Sequence, residues 1–345
     1  MRITALAGGV GGARFLRGLL HHVASQPELS SAVPAGLVDP VDPVDPVALT
    51  VIGNTGDDIT LFGLRVCPDI DTLLYTLGGG IHEGQGWGRA DETHSVAGEL
   101  AALGAEPQWF TLGDKDFATH VYRSQLLGRG MPLSAVTERL AVRWGLGELG
   151  VTLLPMTDTP VETHVVVSGD GEDGEQRAIH FQEWWVRHRA ELPAERFVVA
   201  GLDRATPAPG VLEAIREADV VVLPPSNPVV SIGIILGVPG VRDALRGTRA
   251  PVVGVSPLVG GRPVRGHADV CLRTIGVDET SAGVAGLYAD FLDGWLVDED
   301  DPMPGGRGLE VVRRPLLMTS VEAAAAMAGA ALDLGMRLRA ERAPA

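Results

Sequence analysis

Lysine occurs once in this sequence of 345 residues, at Lys115, and cysteine twice, at Cys67 and Cys271. Two isolated thiols exclude a disulfide framework and suit a reducing compartment, so a cytoplasmic protein is expected. Positive charge is scarce overall: 28 Lys and Arg face 44 Asp and Glu, a formal net charge of −16. That balance argues against nucleic acid or an anionic membrane as partner, since either needs a basic face. It permits an anionic small molecule, because a metal ion or backbone amides supply a positive field locally. No run of about 18 apolar residues is present, so no membrane span is expected. Nor does the chain start with a basic segment followed by the apolar core of a secretory leader. Aromatic residues make up 5%, so each of the six tryptophans is worth placing.

What is there is 45% apolar and 21% charged, the composition of an ordinary globular protein, with length for about two domains. Residues 51–76, VIGNTGDDITLFGLRVCPDIDTLLYT, organise the rest. An apolar strand runs into Asn54-Thr55-Gly56, the adjacent acids Asp57 and Asp58 follow, and Asp69 and Asp71 open an apolar helical run. Four carboxylates beside a glycine turn suit a divalent cation and a phosphorylated ligand. An acidic surface loop with a helix cap is the plainer alternative. Residues 2–7 read as a buried strand followed by Gly8, Gly9, Gly11 and Gly12 and then a helix, an arrangement that brings backbone amides to an anion. No Gly-Lys-Ser/Thr closes the turn as in a Walker A loop. Arg14 stands where the dinucleotide fingerprint has its third glycine.

These two turns end neighbouring strands, and in an open parallel sheet ligands bind beyond the strands' carboxyl ends. A third such end follows the apolar run 219–223: Pro224-Pro225-Ser226-Asn227-Pro228, with Ser231 opening a helix. Residues 108–112 and 197–201 read as further strands of this sheet, 119–145 and 279–292 as wholly helical, and 320–338 as an alanine-rich helix. Arg89 and His94 are the polar groups placed to reach the rim, and His120, Arg123 and Ser124 share a helix face. Residues 163–167 and 177–181 alternate as a hairpin with a polar connection. The hairpin leads into Trp184-Trp185, which suits either a platform for a flat ring or a domain-interface plug. The fold expected is α/β. A Rossmann-like parallel sheet has helices on both faces over residues 1–118 and 197–345, and a smaller helical and antiparallel insertion, 119–196, closes over the site. Residues 38–46, VDPVDPVDP, read as a surface loop without chemistry.

With these residues laid out, the chain resembles the 2-phospho-L-lactate transferase (CofD-like) family of coenzyme F-420 biosynthesis, in particular its actinobacterial FbiA-type phosphoenolpyruvate transferases. Carrying segments are GGVGGARFLRG (8–18), NTGDD (54–58), CPDIDTLLYTLGGGI (67–81), RAIHFQEWWVR (177–187), PPSNPVVSIG (224–233) and DGWLVDE (293–299). The resemblance implies transfer of an enolpyruvyl or lactyl phosphate from its guanosine-diphosphate conjugate to the ribityl hydroxyl of the deazaflavin FO (7,8-didemethyl-8-hydroxy-5-deazariboflavin), with GMP released. It further implies Mg²⁺ held by Asp57 and Asp71, with Asp57 or Asp58 orienting the attacking hydroxyl and Asp69 as a helix cap. The deazaflavin would lie near Asp57, Arg89, Trp184 and Trp185. Phosphates would rest on Gly8, Gly9, Gly11, Gly12, Asn54, Ser226, Asn227 and Ser231. A homodimer is the expected assembly. Two other readings are a non-catalytic nucleotide- or sugar-nucleotide-binding regulator of the same fold and a nicotinamide dehydrogenase. The PDIDT and HFQEWW segments speak against the first, and Arg14 against the second.

Overall fold

Short apolar strands separated by amphipathic helices bury both faces most readily as a parallel sheet covered on each side. The structure, a computed structural model, describes residues 1–26, 47–168, 176–306 and 308–342, and the proline repeat lies outside them. Strand β1 (Arg2–Ala7) leads into α1 (Gly9–Ser25), and β2 (Ala48–Gly53) lies parallel to β1 with Arg2 opposite Ala48 and Ala7 opposite Gly53. A small hairpin, β3 (Ile59–Leu61) and β4 (Leu64–Val66), then precedes α2 (Pro68–Leu77) and α3 (Ser95–Ala102). Helices α4 (Asp114–Leu127) and α5 (Leu133–Arg143) bring the chain to β5 (Val151–Pro155), which pairs with β2. Strands β6 (Glu162–Ser168), β7 (Gln176–His180) and β8 (Ala194–Ala200) make a separate antiparallel sheet in the order β7-β6-β8.

The rest of the chain builds the other half of the large sheet. After α6 (Val211–Arg216) come β9 (Val220–Leu223), α7 (Ile232–Gly237), α8 (Val241–Gly247) and β10 (Val252–Val255). The two-residue strands β11 (Leu258–Val259) and β12 (Arg262–Pro263) pair with each other, and α9 (Ala268–Thr274) and α10 (Ser281–Gly286) follow. Last are β13 (Gly294–Val297), β14 (Glu310–Arg313) and α11 (Val321–Arg342). The seven strands run in the order β14-β13-β10-β9-β1-β2-β5, every neighbouring pair parallel. One apolar layer carries Phe15, Leu16, Ile70, Leu73 and Ala328, and the other Trp184, Ile234, Ile235 and Trp295.

The α/β architecture and parallel sheet are as expected, and several local expectations are not. Residues 108–112 form no strand, and Phe110, Thr111 and Leu112 line a cavity instead. Residues 197–201 do not return to the large sheet: β8 pairs antiparallel with β6. Conversely β5, inside the 119–196 stretch, is an edge strand of the large sheet. The helical stretch 119–145 breaks between Leu127 and Leu133, where Gly128, Gly130 and Pro132 end one helix and start another. Helix α10 stops at Gly286, short of residue 292.

The order of strands places the ligand site. From β1 the chain fills β2 and β5 on one side, whereas β9, β10, β13 and β14 lie on the other. The order therefore reverses between β1 and β9, where the connections at the carboxyl ends diverge and leave a crevice.

Candidate active site

A cavity of about 500 Å³ occupies that crevice. Its floor is the junction of β1 with α1 (Gly8 and, in the first turn of the helix, Gly9 and Gly11) and the turn after β9 (Pro225, Ser226, Asn227), with Ser231 beside them. These two turns touch more closely than side chains permit. A Cβ at Gly8 would overlap the Asp69 carboxylate, and one at Gly11 would overlap the Pro225 carbonyl. The Gly8 N–H donates to Ser226 Oγ (3.1 Å), whose hydroxyl donates back to the Gly8 carbonyl (2.8 Å). Ser226 thus staples one turn to the other. Asn227 Oδ1 accepts the N–H groups of Val229 and Val230 (2.9 and 3.2 Å), so its side chain shapes its own turn.

The acids come from the turn after β2 and the first turn of α2. Asn54, wholly buried, holds them together: its Nδ2 reaches Asp57 Oδ1 (3.2 Å), Asp69 Oδ2 (2.9 Å) and the Val230 carbonyl (3.3 Å). Gln182 donates to the other Asp57 oxygen (2.9 Å). Burial first, then the nearby Asp69 and Asp58 carboxylates, push the Asp57 carboxyl well above its usual range. Asp69 is raised to about 6 by burial, against hydrogen bonds from Asn54, Gly9 and Ser231 that favour its charged form. It does not cap its own helix, whose N-cap residue Cys67 makes no side-chain capping bond either. Its Oδ1 accepts the Gly9 N–H at the start of α1 (2.7 Å). Of the amides without an intrahelical partner, that leaves Val10 and Gly11.

Asp71 also lines the cavity, but both its oxygens accept from Arg123, which has no exposed surface. Beside this pair, Tyr75 donates to Asp116 Oδ1 (2.6 Å) and His120 Nε2 lies 3.4 Å from the same oxygen. Asp58 is turned away from the cavity: Arg65 Nε is 3.6 Å from its Oδ2, and the Cys67 thiol donates to that oxygen (2.9 Å). Burial lifts Asp58 to about 7 despite Arg65. Arg89 is also absent from the lining, its guanidinium lying over the Trp144 and Tyr75 rings at 5.0 and 5.9 Å.

The two adjacent tryptophans part company. Trp184 is wholly buried, donating from Nε1 to the Leu192 carbonyl (2.9 Å), whereas Trp185 faces the cavity. The Trp185 ring centroid lies 5.2 Å from Phe181 and 5.0 Å from His267, and these rings give one wall of the cavity an aromatic surface. A five-residue π-helical turn, Glu183–Arg187, sends the neighbours opposite ways. Sequence reasoning put Asp57, Asp71, Gly8, Gly9, Gly11, Ser226, Asn227, Ser231 and Trp185 at the site, and all nine line one cavity. Asn54, Asp58, Gly12, Arg89 and Trp184 brace it from behind or lie elsewhere. Gln182, Phe181 and Arg265 were missed, and the only hint for the first two was the run Phe181-Gln182 directly before the tryptophans.

Magnesium was assigned to Asp57 and Asp71. Among the described residues no group of three or more His, Cys, Asp or Glu side chains forms a ready metal cage. Mg²⁺ asks for less, one or two carboxylates completed by phosphate oxygens and water. Asp57 and Asp69 fit that demand, being cavity-facing, close to each other and hydrogen-bonded only to uncharged donors. Asp71 fits it less well, because Arg123 already compensates its charge.

A profile of the family described as 2-phospho-L-lactate transferase CofD matches residues 3–308. The chain belongs to this family. Among its relatives, a protein of Thermobifida fusca named phosphoenolpyruvate transferase is 61% identical over 343 residues, covering 98% of this chain and 99% of its own. Namesakes from Streptomyces griseus and Mycolicibacterium smegmatis are 56% and 52% identical, covering 99% and 97% of this chain and 100% and 98% of their own. Among solved structures, protein BH3568 of Bacillus halodurans matches with a TM-score of 0.57 and 16% identity, over 96% of this chain and 99% of its own. That likeness supports the fold alone. No helix among the described residues is long and apolar enough to cross a membrane.

Proposed function

We propose that this member of a transferase family moves the enolpyruvyl phosphate of a guanosine-diphosphate conjugate, or its lactyl counterpart, onto the terminal ribityl hydroxyl of FO, releasing GMP. The observation that carries the reading is the convergence in one cavity of anion-binding turns, uncompensated carboxylates and an aromatic wall. Full-length relatives named phosphoenolpyruvate transferase favour the enolpyruvyl donor. Phosphoryl-type transfer asks the protein mainly for alignment and charge neutralisation. The Val10 and Gly11 amides and the N-terminus of α1 receive the diphosphate. Trp185, Phe181 and His267 offer flat faces to the deazaflavin. Asp57 and Asp69 would hold Mg²⁺, which would neutralise diphosphate charge. Asp57, held by Gln182 and Asn54, orients the attacking hydroxyl, and the new P–O bond forms as the bond to the GMP oxygen breaks.

The test is incubation with FO, the conjugate and Mg²⁺, followed by mass spectrometry. The reading requires GMP and the FO phosphodiester in equal amounts, and their absence with both donors refutes it. Asp57→Asn should cut turnover by about a hundredfold or more with the fold intact. Asp71→Asn is a poor probe, because it strands the buried Arg123 cation at a cost of about 3–5 kcal/mol.

A further inference from the structure

Two guanidinium groups line the cavity and are used by none of its acids. Arg14 stands on the second turn of α1, and Arg265 follows β12. Asp71 is matched by Arg123, Asp116 accepts from Tyr75 and faces His120, and Asp57 and Asp69 accept only from uncharged donors. Neither Arg14 nor Arg265 forms an ion pair among the described residues. Each instead donates to a backbone carbonyl of one loop, Arg14 Nη2 to Glu83 (3.2 Å) and Arg265 Nη2 to Gln85. The Glu83 carboxylate itself is occupied by Arg17.

The arrangement works against the free protein. Partial burial and the charge of Arg14 hold the Arg265 guanidinium below the usual arginine range. In a chain of net charge −16, partners for two cations are plentiful, yet among the described residues neither of these two is in ion-pair contact with a carboxylate; the Glu83 carboxylate, which Arg14 also influences, is held by Arg17. Groups left in electrostatic conflict in a folded chain mark places where a ligand completes the structure. The missing ligand group is anionic, and a guanidinium fork suits a planar carboxylate or a phosphate. On the reading above, the diphosphate already has the α1 amides and the Asp57–Asp69 cation site. The donor's three-carbon acid carries one more negative group, its carboxylate.

We infer that Arg14 and Arg265 form the subsite for the carboxylate of the donor's three-carbon acid. The inference rests on the transferase reading and adds a basis for selectivity, since GDP and GTP share all of the donor except that acid. A site built to pair a carboxylate discriminates strongly against ligands that lack it.

The test is calorimetric binding of three probes in Mg²⁺ buffer without FO: GDP, the lactyl-diphosphoguanosine conjugate, and that conjugate with its carboxylate converted to a carboxamide. The subsite predicts that the unaltered protein binds the conjugate at least about tenfold more tightly than either other probe. Arg14→Gln and Arg265→Gln should each erase most of that preference while GDP affinity stays within about twofold, which also shows that the variants are folded. Arg265→Lys should restore part of the preference. Undiminished preference in both glutamine variants overturns the subsite and leaves the transferase reading standing. Equal losses for GDP and conjugate also overturn it, by assigning the guanidiniums to the diphosphate. FO turnover is assayed in the same preparations, and its absence in the unaltered protein overturns the transferase reading together with the identity given to the acid.

Discussion

His180 shows how one side chain ties the antiparallel sheet to the site. Its Nε2–H donates to the Asp58 carbonyl (3.2 Å), and its Nδ1 accepts the Gln182 N–H (3.0 Å), so both nitrogens are used as a neutral ring uses them. Burial lowers its pKa to about 4. A histidine depressed from about 6.5 contributes stability that is fully present above 6.5 and is lost as the pH falls toward 4. Asp58, raised to about 7, acts with the opposite sign and loses its contribution as the pH rises through 7. Comparison with His180→Gln isolates the histidine. In urea denaturation from pH 7 to pH 4, the unaltered protein should lose about 2 kcal/mol more than the variant. Parallel pH profiles would remove His180 from the account. The tryptophans allow a second test at this scale. Trp184→Ala should cost about 3–5 kcal/mol of stability, whereas Trp185→Ala should leave the melting temperature nearly unchanged and weaken FO binding in a fluorescence titration. Adjacent identical residues carry no sequence signal of which one faces a ligand. That division became visible only with the π-helical turn at Glu183–Arg187.

At the scale of elements, the most legible parts of the sequence were those whose reasons are local. Strand, small-residue turn and helix at residues 2–25 need nothing beyond apolar runs and small residues. Strand β1 stands where those signals put it, and α1 does too except that it begins at Gly9, a turn earlier than the helix expected from Ala13, so that most of the glycines lie in its first turn. Asp69 was less legible, because its partner is the Gly9 amide, 60 residues away in sequence, and not its own helix. Strands β5, β13 and β14 were missed because four or five residues pair only when a neighbouring strand is already in place. The glycine turn also yields a prediction. Gly11→Ala should force the β1 and β9 turns apart, lowering stability by about 1–3 kcal/mol and GDP affinity together. An alanine variant with unchanged GDP binding would show that the close approach of the two turns does not shape the phosphate site.

For the molecule as a whole, the parallel order β14-β13-β10-β9-β1-β2-β5 converts scattered motifs into one site. The reversal between β1 and β9 is why turns more than 200 residues apart can share a hydrogen-bonded floor, as Gly8 and Ser226 do at a sequence separation of 218. Sequence reasoning reached the crevice through the general rule for open sheets. It could not reach Arg14 and Arg265 as a pair, because nothing in their spacing announces that α1 and the segment after β12 border the same cavity. The central claim, attack of the FO hydroxyl on the phosphorus that bears the three-carbon acid, is tested most directly with a donor carrying heavy oxygen in the bridge of its diphosphate. Attack at that phosphorus breaks its bond to the bridge, so all of the label should leave with GMP and none should enter the FO phosphodiester. Label released on the phosphate of the three-carbon acid, the outcome of attack at the guanosine-bearing phosphorus, would contradict the account.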